Sequence, residues 1–396
     1  MKPLMKPSMK PLMKPSMKSP MKSSLKPQPS AKAIPHEVAE PVRPAAEELR
    51  LVDRMDFQFI SAPQCSPSLL REVTDFLDTQ DTSHPFQWAP WSGSQSYLAL
   101  LRRQGRIQWF AQCAAFYPAG RLLRTIRALH ANRGPVCDDL ELIAIGLREL
   151  IDKAREMGMT YVDIAPEWTG ALAESAPAVL ARNRWQVLPG ARSSLRLDLT
   201  PALDRLLASF RKTTRYEIRR SEAEGVQVTI ANTETEIRDF LDLYVNMAAR
   251  KQFVADDRAF LLPILRCLAA DPHRGGLFLA WEAGTLRGGA IIVRSGFRSW
   301  YLWGATSKES KFSAGHLLQW RAIQWAKTEG CFEYDFGGFR EGMTSGPAHF
   351  KSGFCHRIVH FLPPHRYVLS PARMGAANLV SKVRRSFPVL KRDLST

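Results

Sequence analysis

The chain is 396 residues long, 45% hydrophobic and 23% charged, values of a folded globular protein that exclude wholesale disorder. No run approaches the roughly 18–20 apolar residues of a membrane-spanning helix. The six cysteines, at 65, 113, 137, 267, 331 and 355, include no C-x-x-C pair, which excludes a disulfide scaffold and the usual zinc motifs and suits a reducing cytosol. The formal charge of +17 is concentrated at the ends: +8 over residues 1–34 and +6 over 366–396, leaving +3 for the body. Basic ends of this kind either contact a polyanion, such as RNA, a phosphorylated precursor or an anionic membrane face, or serve as solubilising tails.

Lysine recurs every fourth residue from Lys2 to Lys22, and ten of the 27 prolines fall at or before Pro44. Proline at this density removes amide donors and fixes φ, blocking helix and sheet alike. Residues 1–50 therefore read as a disordered, extended basic arm. The regular lysines leave no apolar core for a secretory signal.

From residue 51 the pattern is that of a mixed α/β protein. Ser68–Leu77 carries apolar residues at helical spacing, and Tyr97–Arg102 and Ile107–Tyr117 read as strands around Gln104-Gly105. Asp138-Asp139 can cap a helix that runs to Met157 and stops at Gly158. Tyr161–Ile164 and Ser194–Leu199 read as strands. The second half repeats the order: a helix over Thr233–Ala249, strands Leu277–Glu282 and Arg287–Arg294 around Gly284, a third strand Ser299–Gly304, a helix Gly315–Lys327 and a strand Cys331–Phe336. Two similar domains in tandem are expected, at 51–200 and 201–365, followed by a basic segment 366–396.

Two clusters carry chemistry. On a helix, Arg211, Arg215 and Arg219 stand four apart with Lys212 beside them, while Phe210 and Ile218 face inward. Such a stripe suits either a run of phosphates or plain solvent. Asp335 closes a strand ahead of Gly337-Gly338, where backbone can approach a ligand; a lone aspartate there also serves as a turn former. Phe350-Lys351 sets a stacking ring beside a cation, a pairing suited to a nucleotide end and a developing oxyanion. No metal-ligand spacing is present.

The order of these stretches resembles the FemAB/FemX family of non-ribosomal peptidyltransferases. The resemblance rests on Arg133-Gly134-Pro135-Val136 with Asp138-Asp139, Phe210 to Val226, His316 to Trp325 with Tyr334 to Gly338, and Phe350 to Phe354. It implies two GNAT-like domains of an α/β (α+β) fold, with 366–396 packing back on the first. It implies the armless form, since no long heptad stretch occurs. It also implies an aminoacyl-tRNA donor, and an amine acceptor on a peptidoglycan or other cell-envelope precursor. Phe350 would stack on the terminal adenosine, Lys351 would neutralise charge at the reacting ester, and Asp335 would either orient the amine or support the strand end. Arg211, Lys212, Arg215 and Arg219 would bind tRNA, and Trp91 and Arg258 the acceptor. An aminoacyl ester is already activated, so neither cofactor, ATP nor metal is required. The expected location is the cytoplasm, peripheral to the inner face of the membrane through the basic termini.

The acceptor side departs from the family. Residues that hold nucleotide-linked muropeptides in armless members fall at Gly93, Ala165 and Asp256. A rival reading is a GNAT-type N-acyltransferase of exopolysaccharide or surface-polymer assembly with a non-tRNA donor. Glu309 to His316 has a single glycine where acyl-CoA enzymes carry a glycine-rich pyrophosphate loop, which disfavours acetyl-CoA itself.

Deleting residues 1–50 is expected to leave the melting temperature of the protein nearly unchanged, because a segment without a core contributes little packing. Thermal denaturation of the truncated chain checks this, and loss of folding would show the arm to be structural.

Overall fold

The computed structural model describes residues 55–88, 96–118, 125–190, 192–309, 314–342, 345–376 and 379. The expected arm, Trp91 and Gly93 lie outside them. The chain opens with β1 (Met55–Ser61), α1 (Pro67–Thr79), β2 (Ser96–Arg103), β3 (Arg106–Phe116), β4 (Ala128–Arg133), α2 (Leu140–Glu156), β5 (Tyr161–Pro166), α3 (Gly170–Arg182) and β6 (Gln186–Val187). There follow β7 (Arg192–Asp198), α4 (Leu203–Ser209), α5 (Lys212–Ala223), β8 (Gln227–Ile230), α6 (Glu234–Lys251), α7 (Arg258–Ala270), β9 (Gly275–Glu282), β10 (Thr285–Ser295) and β11 (Arg298–Thr306). The last elements are α8 (Ala314–Thr328), β12 (Glu333–Gly338), α9 (Gly346–Lys351), β13 (Ile358–Phe361) and β14 (His365–Val368).

They form two seven-stranded sheets, ordered β1-β2-β3-β4-β5-β14-β6 and β13-β7-β12-β11-β10-β9-β8. A boundary at residue 200 would leave β7 with the first sheet. Its backbone pairs instead with β12 and β13 in the second. β14 crosses back to pair antiparallel with β5. Arg366 there bonds Asp163 at 2.6 and 2.7 Å, and Arg373 donates to the Gly158 carbonyl at 2.7 Å. Two of the C-terminal cations are thus tied into the protein rather than offered to a polyanion. Among the described residues no helix is long and apolar enough to cross a membrane.

The local chemistry follows the sequence. Gln104-Gly105 and Ala283-Gly284 both adopt positive φ (53° and 77°, 48° and 75°), the pair of left-handed residues that a tight hairpin between twisted strands requires. Asp139 accepts from the Glu141 and Leu142 amides at 2.7 and 3.2 Å, capping α2. Leu142, Ile143, Leu147, Leu150 and Ile151 of that helix are buried in the core of the first sheet.

Residues 81–88 join the two sheets. Arg298 on β11 bonds Asp81, Ser83 meets Ser295 at 3.0 Å, and the His84 ring lies 4.3 Å from Trp300. On the other side Gln87, fully buried, donates to the Gln112 carbonyl at 3.2 Å and accepts from its amide at 2.7 Å. Its side-chain amide supplies the peptide partner that β3 lacks once its pairing with β4 ends at Ala114.

A Cβ built on Gly146 of α2 would sit 2.6 Å from the Trp109 indole, which is fully buried. Alanine gains about 1 kcal/mol over glycine in a helix interior, but overpacking a core costs about 1–3 kcal/mol. Gly146→Ala is therefore expected to destabilise the protein despite the better helix former, as a lower urea midpoint with an unchanged slope.

Candidate active site

β11 and β12 run parallel, and their pairing covers only Arg298–Trp300 against Glu333–Asp335. The register of β12 against β7 then shifts between Asp335 and Gly338, where Gly337 takes φ +73°. Asp335 anchors this point. Its fully buried carboxylate accepts from Arg196 Nε at 2.8 Å, from the Gly337 amide at 2.7 Å and from the Ser194 hydroxyl. These partners are all internal, so its role in this geometry is to support the strand end.

Lys351, the last residue of α9, reaches this point. Its Nζ donates to the Gly338 carbonyl at 3.1 Å and lies 6.0 Å from the Tyr301 ring centroid. A Cβ on Gly337 would lie 3.7 Å from that Nζ and 3.3 Å from the Tyr301 carbonyl, so glycine keeps the approach open. Burial lowers the ammonium to about 8, against the opposing pull of Asp335.

Two cavities meet at Lys351 and Tyr301, which line both. One, of about 490 Å³, is bounded by Phe350, Thr306, Gly315, Leu318 and Phe253. The Phe350 ring packs edge-on against His316 and Phe354, at 4.9 and 5.4 Å. The other, of about 360 Å³, is bounded by Arg133, Arg192, Arg340, His84, Trp300 and Trp303. Ser310 to Ser313, within the stretch compared with a pyrophosphate loop, lie outside the described residues.

The arginine stripe is divided. Arg211 is not helical: its backbone is extended (φ −53°, ψ 144°) as the N-cap of α5, and its amide bonds the Gly353 carbonyl at 2.8 Å. Its guanidinium contacts Ser352 at 2.9 Å and the His349 ring at 3.0 Å, and thereby holds the end of α9. Arg215 donates to the Ala208 carbonyl at 2.9 Å, bracing the bend between α4 and α5. Lys212 and Arg219 are exposed, while Phe210 and Ile218 are buried as the spacing requires.

The expected acceptor residue Arg258 is paired with Asp242 on an exposed face of α6 and α7. Its neighbour Asp256, also exposed, accepts from Trp303 Nε1 at 2.7 Å and the Tyr244 hydroxyl at 3.3 Å. Asp256 lines a third cavity, of about 550 Å³, with Phe260, His130 and Gln112. Asp257, between Asp256 and Arg258, caps α7 by accepting from the Ala259 amide at 2.9 Å.

Four residues at the centre, Arg133, Arg192, Glu167 and His84, are not singled out chemically by the sequence. Arg133, at φ +63°, donates to Glu167 Oε1 at 2.6 Å, and Arg192 bonds the same oxygen. Glu167 is buried, and its other oxygen has no partner among the described residues. Burial lowers Arg192 to about 10. His84 is held well below its ordinary value by burial and by Arg133, Arg192, Arg196 and Arg298. Arg133 was visible only as part of a motif. Arg192 and His84 carried no local signal.

A model of the GNAT acetyltransferase domain matches residues 208–352. The UDP-N-acetylmuramoylpentapeptide-lysine N(6)-alanyltransferase of Weissella viridescens is 27% identical over 234 residues, 54% of this chain and 67% of that protein. A lipid II:glycine glycyltransferase of Staphylococcus saprophyticus is 26% identical over 125 residues, but these are only 26% of its length. The crystal structure of FemX superposes with a TM-score of 0.68 at 18% identity, covering 78% of this chain and 98% of FemX. The two split sheets and these similarities lead to one conclusion: the chain has a GNAT-like fold and is similar in sequence and structure to the FemX/FemAB-like aminoacyltransferases.

Proposed function

We propose that this protein moves an amino acid from aminoacyl-tRNA to an amine of a peptidoglycan or related cell-envelope precursor. The observation that carries the reading is Lys351, a half-buried cation standing where two cavities join. The similar alanyltransferase acts, by its name, on a lysine N6 amine, which supports a primary amine as acceptor.

The donor ester would enter the cavity that contains Phe350, whose half-buried ring offers a face to the terminal adenine. Lys212 and Arg219 are exposed cations of α5 suited to phosphates. The acceptor amine would approach from the arginine-lined cavity. Its lone pair attacks the ester carbonyl, forming the C–N bond and a tetrahedral oxyanion. Collapse breaks the C–O bond, and the ribose hydroxyl leaves with the proton released by the amine. Lys351 contributes a preorganised ammonium beside the developing negative charge, and the shared cavity junction aligns the two reactants.

Lys351→Ala is expected to lower kcat about 10²–10³-fold, the cost of losing one transition-state donor, with a much smaller change in the affinity for charged tRNA. Since only the ammonium stabilises an oxyanion and Lys351 is lowered to about 8, kcat should decline as pH rises through that value. Lys351→Arg should move this alkaline limb upward, because guanidinium stays protonated. Transfer is to be followed with charged tRNA and a cell-wall precursor pool. RNase should abolish it, whereas transfer from acetyl-CoA alone would overturn the reading.

Asp335→Ala should act differently. It leaves Arg196, 3% exposed, without its close carboxylate, at a cost of about 3–5 kcal/mol. Chemical denaturation should register this loss, which Lys351→Ala should not produce.

A further inference from the structure

The arginine-lined cavity carries more positive charge than the transfer step uses. Arg133, Arg192, Arg340 and Lys351 all border it. One oxygen of a single carboxylate, Glu167, serves both Arg133 and Arg192, so that pair retains an excess positive charge. Arg340 is exposed and has no hydrogen-bond or ion-pair partner among the described residues. His84 is 2% exposed. Its Nδ1 accepts from the Phe86 amide at 3.0 Å, which leaves the ring proton on Nε2. That N–H is a donor with no acceptor among the described residues, on a ring that lines the same cavity.

Size narrows the ligand. A volume of about 360 Å³ stands at the low end for ligand sites, which run from about 300 to 1,000 Å³. The end of a peptide fits such a space, and a nucleotide diphosphate sugar does not. The larger neighbouring cavity is bordered by Asp256 and by no lysine or arginine among its described lining residues. It offers phosphates no charge partner.

We propose that the cavity in front of Lys351 binds a free carboxylate of a peptidyl acceptor, held by Arg192, Arg340 and His84 Nε2–H, and so sets the attacked amine beside the ester. This rests on the amine-acceptor reading above and adds the feature by which the acceptor is selected. Arginine forks match a carboxylate with two parallel bonds, and Trp300, Trp303 and Phe361 add aromatic surface to the same cavity. The acceptor is thereby anchored at its peptide end.

The probe is a tripeptide with a lysine side-chain amine and a free C-terminal carboxylate, compared with its C-terminal amide. Both are titrated calorimetrically into the full-length protein without any donor. The acid should bind about 10-fold or more tightly than the amide, the range of hydrogen bonds to a charged group. Arg340→Gln, at an exposed side chain, should keep the melting temperature and reduce that preference to about threefold or less. Uridine diphosphate at millimolar concentration should not displace the acid. Equal affinity of the two peptides, failure of both to bind, or displacement by uridine diphosphate would each overturn the subsite. A peptide bound acid-selectively but not aminoacylated from charged tRNA removes the transfer reading and keeps the subsite. Aminoacylation of acid and amide with the same KM does the reverse.

Discussion

The buried contact between Asp335 and Arg196 is the constraint on which the site depends. Asp335 is fully buried, Arg196 is 3% exposed, and the carboxylate also takes the Ser194 hydroxyl and the Gly337 amide. A buried ion pair adds little net stability over a hydrophobic pair, because desolvation offsets the attraction. What it imposes is geometry. Three donors from two strands converge on one side chain, so β12 must leave its parallel partner at residue 335 and turn at Gly337. Arg196 in addition lies 5.6 Å from the Trp300 ring and 5.2 Å from Phe361, and carries the same constraint into the cavity wall.

The residues of the proposed site are arranged around the opening so created. Lys351 is delivered from α9, and α9 is held from outside by Arg211, which bonds Ser352 and His349. The residue expected to bind tRNA thus acts on the site through the segment that carries Phe350 and Lys351. The cation is costly to bury, and its lowered value of about 8 records that cost. The carbonyl of Gly338 at 3.1 Å offsets part of it. A group of this kind is poised to gain more from a new negative charge than a solvated lysine would.

The second sheet cannot build the site alone. His84 comes from the segment 81–88, Arg133 from the end of β4, and Glu167 from just after β5 in the first sheet, while Arg192 begins β7 in the second. Ion pairs such as Arg274–Asp78 at 2.7 Å and Arg298–Asp81 at 2.9 Å hold the two sheets in one relation. In that relation a charged cavity opens next to Lys351. That cavity is lined by residues of both sheets, whereas the cavity that contains Phe350 is lined by the second sheet and its helices.

Much of this protein is written in local sequence. Alternation and glycine placement identify the hairpins at Gln104-Gly105 and Ala283-Gly284, because only left-handed residues close such turns. Asp139 and the apolar spacing behind it identify α2, and Phe210 and Ile218 declare the inner face of α5. The motif Phe350-Lys351 is legible as a ring beside a cation because both residues are adjacent in the chain. Other features depend on contacts distant in sequence. Arg211 has the spacing of a helix face, yet the Gly353 carbonyl draws its amide out of the helix. Arg258 has the charge of an acceptor contact, yet it turns outward to Asp242. β7 reads as a strand without saying which sheet it joins, since backbone pairing is indifferent to sequence distance. Periodicity reports which face of an element is buried. Only the packed chain decides which charges, from four separate elements, share one cavity.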